Sequence, residues 1–454
     1  MKLYINIVFA LIFSSVLASC STSDNESTPA PAYPQYGTRF EKMPKKEDAV
    51  IYQVNLRAFS EAGKLKGVQE KLTYIQELGV NVIYLMPIYP IGAVKSVNSP
   101  YCVKDYKAVS TEFGTLEDLR TLVDEAHKKN IGVILDWVAN HTSWDNAWIT
   151  AHPDWYQKDD KGNIASPPGF NDVAQLDYTN TEMKKEMIDA MSYWVYTANI
   201  DGFRCDYADN VPQNFWTDAN TSLRKIKNQN FLMLAEGSKV THFVAGFDYT
   251  FGFGYFGALK KVFSEGKPAT SIQDANAAEY ATNYDNSQRI VRYTSNHDVN
   301  LSDGTPLELF GGKQGSIATF VVAAYMKSVP MIYNAQEVGY AKRIDYFSHV
   351  PIDWSTVDLD MLAEYKKIIA FRNSSDAIKR GTFKGYSSDA VSAFSMETNT
   401  EKVLVLSNLT SSAVKYIVPA PLSKIAWKDA FGGASVTLTS EITLQPYQYM
   451  VLKN

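Results

Sequence analysis

The feature that most constrains this chain is a long rhythm. Eight short apolar runs, at 49–55, 80–86, 131–137, 201–206, 231–236, 244–249, 290–294 and 329–333, alternate with stretches of helical periodicity. Val68, Leu72, Ile75 and Leu78 share one helical face. So do Leu116, Leu119, Leu122, Val123 and Ala126, and Met183, Met187, Met191 and Trp194 repeat the spacing. Strands that alternate with helices pair in parallel, because each crossover returns the chain to the same end of the sheet. Eight such units predict an α/β fold, a closed (β/α)8 TIM barrel. The segment between the third and fourth runs is too long for one helix. Residues 141–180, rich in Trp, Pro, Asp and Gly, predict a loop subdomain inserted after the third strand. The barrel with its insertion is expected over residues 46–378. Beyond it the pattern changes to period two, as in Val391-Ser392-Ala393-Phe394 and Val403-Leu404-Val405-Leu406, which predicts a C-terminal all-β sandwich over residues 379–454.

The first twenty residues read as a targeting segment. Lys2 precedes an apolar run from Ile5 to Leu17, too short for a membrane span, and the run ends in Leu17-Ala18-Ser19-Cys20. Small residues before a cysteine resemble a bacterial lipoprotein signal, with Cys20 as the acylated residue after cleavage; a plain secretory signal is the alternative. Residues 21–45 begin with a Ser-, Thr- and Pro-rich stretch and are expected to be a flexible tether. The expected location is the cell envelope, lipid-anchored at the outer membrane on its periplasmic or outer face, with the membrane touched by the anchor alone. The other cysteines, Cys102 and Cys205, are expected to be free and buried. With 44 basic and 49 acidic residues and no basic block, nucleic acid is excluded as an expected partner.

Chemistry in such barrels sits at the C-terminal ends of the strands. The third run leads into Asp136-Trp137-Val138-Ala139-Asn140-His141, the fourth ends Gly202-Phe203-Arg204-Cys205-Asp206, the fifth ends Leu234-Ala235-Glu236, and the seventh leads into Ser295-Asn296-His297-Asp298. A salt bridge closing a strand end explains any one of these carboxylates alone. Asp206, Glu236 and Asp298 at one barrel mouth call for another reason. Like carboxylates held close cannot all ionise at neutral pH, so one keeps a proton. An ionised and a protonated carboxyl are the pair that retaining glycoside hydrolysis uses. Arg204, two residues before Asp206, projects from the same side of the strand and would keep Asp206 ionised. Glu236, flanked by Ala235 and Gly237, has no such neighbour in sequence. On that ground Asp206 is expected to be the nucleophile and Glu236 the acid/base. His127, beside Lys128 and Lys129, is expected to be solvated, and His242 to lie in a loop-like segment with no companion metal ligands.

These segments resemble the signatures of the α-amylase family of glycoside hydrolases, in the same order along the chain. Asp136 to His141, Gly202 to Asp206, Glu236, Asn296-His297-Asp298, Gln175-Leu176-Asp177 and Pro330 to Glu337 carry the likeness, together with Tyr52-Gln53-Val54 and Ser99-Pro100-Tyr101. The resemblance implies a covalent glycosyl-enzyme on Asp206, with Asp298 as the third catalytic acid. It implies that Tyr101 stacks under the sugar, and that His141, Arg204 and His297 belong to the substrate-binding set. It also implies that the chemistry needs no cofactor, and that a structural calcium is held by Asn140, Asp177 and the carbonyl of Asn210; an ordinary polar network is the alternative for these three. Asp209 and Asn210 stand where many members have Lys and His, so a Lys contact on the acceptor side is not expected. The implied activity is hydrolysis of α-1,4-glucosidic bonds in starch or maltooligosaccharides. An α-1,6-glucosidase or glucosyl transferase would use the same residues, and a surface glucan-binding protein is the alternative of another class.

Overall fold

The eight runs fold into eight parallel strands: β1 (Ile51–Val54), β2 (Val82–Leu85), β3 (Gly132–Val138), β4 (Gly202–Asp206), β5 (Leu232–Ala235), β6 (Tyr249–Phe251), β7 (Arg289–Tyr293) and β8 (Ser328–Tyr333). They pair side by side in chain order, and β1 closes the barrel by pairing with both β2 and β8. All eight are buried on both faces, as expected of parallel strands walled in by helices. This computed structural model describes residues 33–227, 231–281 and 288–454. The signal segment, Cys20 and the start of the tether lie outside the described residues. Among the described residues no helix is long and apolar enough to cross a membrane.

The sixth strand departs from its expected place. Val244 closes a short helix, Thr241–Val244, and is 45% exposed; the strand begins at Tyr249. Gly246, with φ of +92°, turns the chain between them, and the Asp248 carboxylate accepts the N–H of Met233. A short apolar run does not by itself distinguish strand from helix, and here the turn decides.

The helical faces pack as their spacing requires. The helix Leu116–Lys128 opens on a capping box between Thr115 and Asp118 and buries Leu119, Leu122, Val123 and Ala126. The helix Thr181–Thr197 is capped by Asn180 and buries Met183, Met187, Met191 and Trp194. Gly202 opens β4 where no side chain fits: a Cβ there would lie 1.9 Å from the carbonyl oxygen of Leu232.

Residues 33–45 are not the free tether the composition suggested. Tyr36 donates from its hydroxyl to Asp124 and from its N–H to Tyr196, and Asn199 donates to the carbonyl of Thr38. The Phe40 ring stacks on His127 at 4.2 Å. His127 is therefore not solvated; its Nε2 lies 2.7 Å from Asp201. His242 lies in the short helix Thr241–Val244 rather than a loop, its Nε2 2.7 Å from Asp209. Aromatic residues in this segment bury against barrel helices, which offsets the entropy of ordering it. Cys102 and Cys205 are free and buried.

After β3 the chain forms the insertion, whose two short strands, His141–Ser143 and Val173–Gln175, pair antiparallel. The C-terminal region adds β9 (Thr382–Gly385), β10 (Val391–Glu397), β11 (Lys402–Asn408), β12 (Val414–Ile417), β13 (Trp427–Asp429), β14 (Ser435–Val436), β15 (Glu441–Leu444) and β16 (Tyr449–Lys453). Six form one sheet in the order β9-β10-β11-β16-β13-β14, and β12 pairs with β15 in a second sheet. The period-two pattern divides their residues. Leu404, Leu406 and Leu452 pack with Tyr416 and Leu444 of the small sheet. Val403, Val405 and Val451 join the barrel core instead.

Candidate active site

The strand ends of the barrel form the floor of a cleft of about 260 Å³, lined by Asp206, Glu236, His297, Asp298, Tyr101, Asn140 and His141 among others. Arg204 lies beneath it, 1% exposed. Its Nη1 donates to Asp206 Oδ1 at 2.9 Å and to Asp136 Oδ1 at 2.7 Å, and its Nη2 pairs with Glu236 Oε1 at 2.5 Å. This corrects the expectation that Glu236 has no guanidinium partner. The register Asp136↔Arg204 places the two side chains opposite each other on adjacent strands, and β5 brings Glu236 in from the other side. One cation thus holds three carboxyls, and it does not by itself set Asp206 apart from Glu236.

The electrostatics follow from burial. Taking Asp206 out of water pushes its pKa well above the ordinary carboxylate range; the nearby Glu236 charge adds to this and Arg204 opposes it. Burial raises Asp136 in the same way, against Arg204 and the hydrogen bond from Tyr84. Burial thus works against full ionisation of Asp206 and Asp136, and Arg204 works for it. Asp206 Oδ2 receives no hydrogen bond among the described residues. Both oxygens of Glu236 are engaged, Oε2 accepting the N–H of Tyr207 at 2.7 Å. Tyr207 reaches that position with a left-handed backbone, φ 48° and ψ 38°, a conformation that costs a bulky residue about 1–2 kcal/mol.

A one-way chain of hydrogen bonds organises the opposite wall. Gln53 Nε2 donates to His297 Nδ1 at 2.8 Å, which leaves the ring proton on Nε2, facing the Tyr101 hydroxyl at 2.8 Å. Tyr101 donates onward to Asp136 Oδ2 at 2.9 Å, where Tyr84 also donates at 2.6 Å. Burial lowers His297 and His141 to about 4, so both rings are neutral at pH 7. Asp298 has a side chain 48% exposed and lies 3.3 Å from both His297 Nε2 and the Tyr346 hydroxyl. Gln53 and Tyr84 are thus working parts outside the strand-end acids and histidines, and Asp136, the carboxylate of the third run, is the acceptor on which they converge. Their signal was the inward alternation of β1, β2 and β3. Phe170, Tyr207, Tyr346 and Phe347 also line the cleft, from loops whose placement no local pattern reveals.

The expected calcium ligands do not come together as a cage. Asn140 meets Gln175 rather than Asp177: Gln175 Nε2 donates to both oxygens of Asn140. The Asp177 carboxylate instead accepts from the N–H and hydroxyl of Thr179, closing its own turn. Asn210 is exposed at the end of a short 3-10 turn, and neither it nor Asp177 lines the cleft. Among the described residues no group of three or more His, Cys, Asp or Glu is arranged to hold a metal ion. The residues present do not fit calcium as the resemblance implied.

Residues 33–163 and 155–409 match the family described as alpha amylase, catalytic domain, and residues 391–451 match the alpha-amylase SusG C-terminal domain. Alpha-amylase 2 of Dictyoglomus thermophilum is 29% identical over 400 residues, covering 82% of this chain and 68% of that protein. Neopullulanase 2 of Thermoactinomyces vulgaris is 26% identical over 428 residues, covering 86% and 71%. An alpha-amylase structure from Lactobacillus plantarum has a TM-score of 0.81 at 24% identity, covering 90% of this chain and 99% of that one, a likeness of fold. The chain belongs to the α-amylase family of glycoside hydrolases.

Proposed function

We propose that this enzyme is a retaining α-glucan hydrolase that cuts α-1,4-glucosidic bonds in starch or maltooligosaccharides through a covalent glycosyl-enzyme. The observation that carries the proposal is the attachment of Asp206 and Glu236 to one buried guanidinium, at the floor of a cleft that also presents Asp298, His297, His141 and Tyr101. A bound sugar excludes water, and two adjacent carboxyls then share one proton. Positive charge developing on the anomeric carbon favours the ionised form of the carboxyl beside it. Asp206, with Oδ2 unengaged, attacks that carbon and the glycosidic bond breaks. Glu236 gives its proton to the leaving oxygen, then takes one from the water that releases the sugar. Asp298 and His297 hold sugar hydroxyls, and Tyr101 offers its ring.

A glucosyl transferase or a different linkage is the second reading, and one feature favours it. Phe170, 50% exposed, meets Tyr207 edge-on at 6.2 Å, and Tyr207 is the residue whose N–H holds Glu236. Apolar surface beside the acid/base suits a sugar on the leaving side, which as an acceptor would compete with water. A non-catalytic glucan-binding protein would have no use for this carboxylate pair.

The test is product analysis, with anomeric configuration, on soluble starch, maltoheptaose, pullulan and isomaltose, with Asp206→Asn as control. α-Configured maltooligosaccharides from starch, absent with the variant, are expected. Activity on pullulan or isomaltose alone moves the linkage, and products longer than the substrate indicate transfer. Binding with no turnover in either protein rejects the enzyme reading. We propose in addition that Cys20 carries the lipid that anchors the protein in the cell envelope; mass spectrometry of the mature N-terminal peptide checks it.

A further inference from the structure

The Gln175 side chain sits where three oxygens converge. Its Nε2 lies 2.9 Å from the carbonyl oxygen of Asn140, 3.0 Å from Asn140 Oδ1 and 3.4 Å from the carbonyl oxygen of Leu176. Three oxygens around one point are the kind of ligand set that suits a hard cation. Here an uncharged amide with two N–H groups fills it. Its orientation is determined by chemistry. Turned over, Oε1 would face oxygens with no hydrogen between them, whereas as placed it accepts from Asn140 Nδ2 at 3.3 Å. The two amides are paired head to tail, joining the last residue of the insertion's second strand to the loop that follows β3.

The pairing reaches the cleft. Asn140 is 1% exposed, and its Nδ2 also lies 3.2 Å from His141 Nδ1. That makes Nδ1 the acceptor and leaves the ring proton on Nε2, which lies 3.2 Å from the carbonyl oxygen of Tyr101. The Tyr101 carbonyl fixes the proton on Nε2, and Gln175, by holding Asn140, orients the donor that faces His141 Nδ1, although Gln175 does not itself line the cleft.

We propose that the Gln175 amide does the structural work of a metal ion between the insertion and β3, and acts through Asn140 as a positioning residue for His141, so that this fold does not depend on calcium. Only the activity readout of the test rests on the hydrolase reading above; the melting readout does not.

The test compares the full-length wild type with Gln175→Glu, which keeps the shape and exchanges the amide nitrogen for oxygen. Four oxygens then face one another, and the added charge invites a cation. Each protein is melted in chelator and in about 5 mM calcium chloride. The wild type is expected to melt within about 1 °C in the two media. The variant is expected to melt several degrees lower in chelator and to regain roughly 2–3 °C in calcium. Its kcat/KM on maltoheptaose should rise with the same calcium titration, while that of the wild type stays flat. A loss of packing alone would show no such rescue. Where Gln175→Glu does not fold, Gln175→Ala leaves the same oxygens facing a gap, and calcium rescue is read there. The proposal is overturned if calcium stabilises the wild type, if chelator lowers its melting temperature, or if the variants lose stability that calcium does not restore. It is equally overturned if they melt like the wild type. A wild type inactive on every glucan would reject the hydrolase reading and leave the melting comparison to decide this one.

Discussion

Replacing Arg204 by Met would expose the balance of charge on which the site depends. The side chain is buried, and it neutralises Asp136, Asp206 and Glu236 at distances of 2.7, 2.9 and 2.5 Å. Breaking a buried ion pair from one side costs about 3–5 kcal/mol, because the partner is left charged in a dry place. The unfolding entropy is near 2.1 cal/mol/K per residue. A chain of about 400 ordered residues therefore loses roughly 4–6 °C of melting temperature for that penalty. The loss must depend on pH, and the sign follows from the carboxyls. Burial already raises Asp136 and Asp206 in the folded protein, and removing the cation raises them further. A group whose folded pKa lies above its unfolded value stabilises fully below the unfolded value, near 4, and loses that contribution as pH rises through the folded one. The gap in melting temperature between Arg204→Met and wild type should be smallest near the unfolded carboxylate value, about pH 4, and widen as pH rises toward about 8. Scanning calorimetry across that range reads it directly. A gap of equal size at both ends would mean that the guanidinium contributes packing rather than charge, and would refute the reasoning.

Other substitutions test separate parts of the argument. Asp206→Asn should lower turnover of maltoheptaose by about 10⁴-fold or more while folding stays intact, and an unchanged rate would remove it as nucleophile. Glu236→Gln should cost about 10²–10⁴-fold on maltooligosaccharides but far less in the initial burst of fluoride from α-maltosyl fluoride, whose leaving group needs little acid help. Equal losses on the two would count against an acid role. Trp427→Ala removes a side chain 1% exposed in the C-terminal core, with its Nε1–H bonded to the carbonyl of Leu422, and should cost about 3–5 kcal/mol by denaturant titration. Activity at low denaturant should be unaffected, because that core lies apart from the cleft residues.

Much of the enzyme is legible in its amino-acid sequence. Strand ends carrying Asp206, Glu236, His297 and Asp298 could be found because a parallel barrel gathers its strand ends at one mouth, whatever else the chain does. Arg204 and Asp206 could be placed on one side because they are two residues apart on a strand. What failed were readings that needed a neighbour from another strand. Glu236 looked isolated between Ala235 and Gly237, yet the pairing of β4 with β5 sets it against Arg204. Asp177 looked like the partner of Asn140, but the antiparallel register of the insertion sets Gln175 opposite His141 and turns Asp177 toward Thr179. Residues 33–45 looked like tether because their small and polar neighbours said so, while their aromatic rings had a surface to lie on.

The barrel, the inserted loop, the terminal sheets and the carboxylates at the mouth follow from local patterns along the chain. Periodicity and strand-end position are local properties, and a closed parallel sheet has one way to use them. Only the tertiary structure decided how those carboxylates share charge. It also decided which amide fills the gap beside Asn140, and how Tyr207 turns to hold Glu236. Those outcomes depend on distances of about 3 Å between residues far apart in the chain, and on burial that no single segment creates alone.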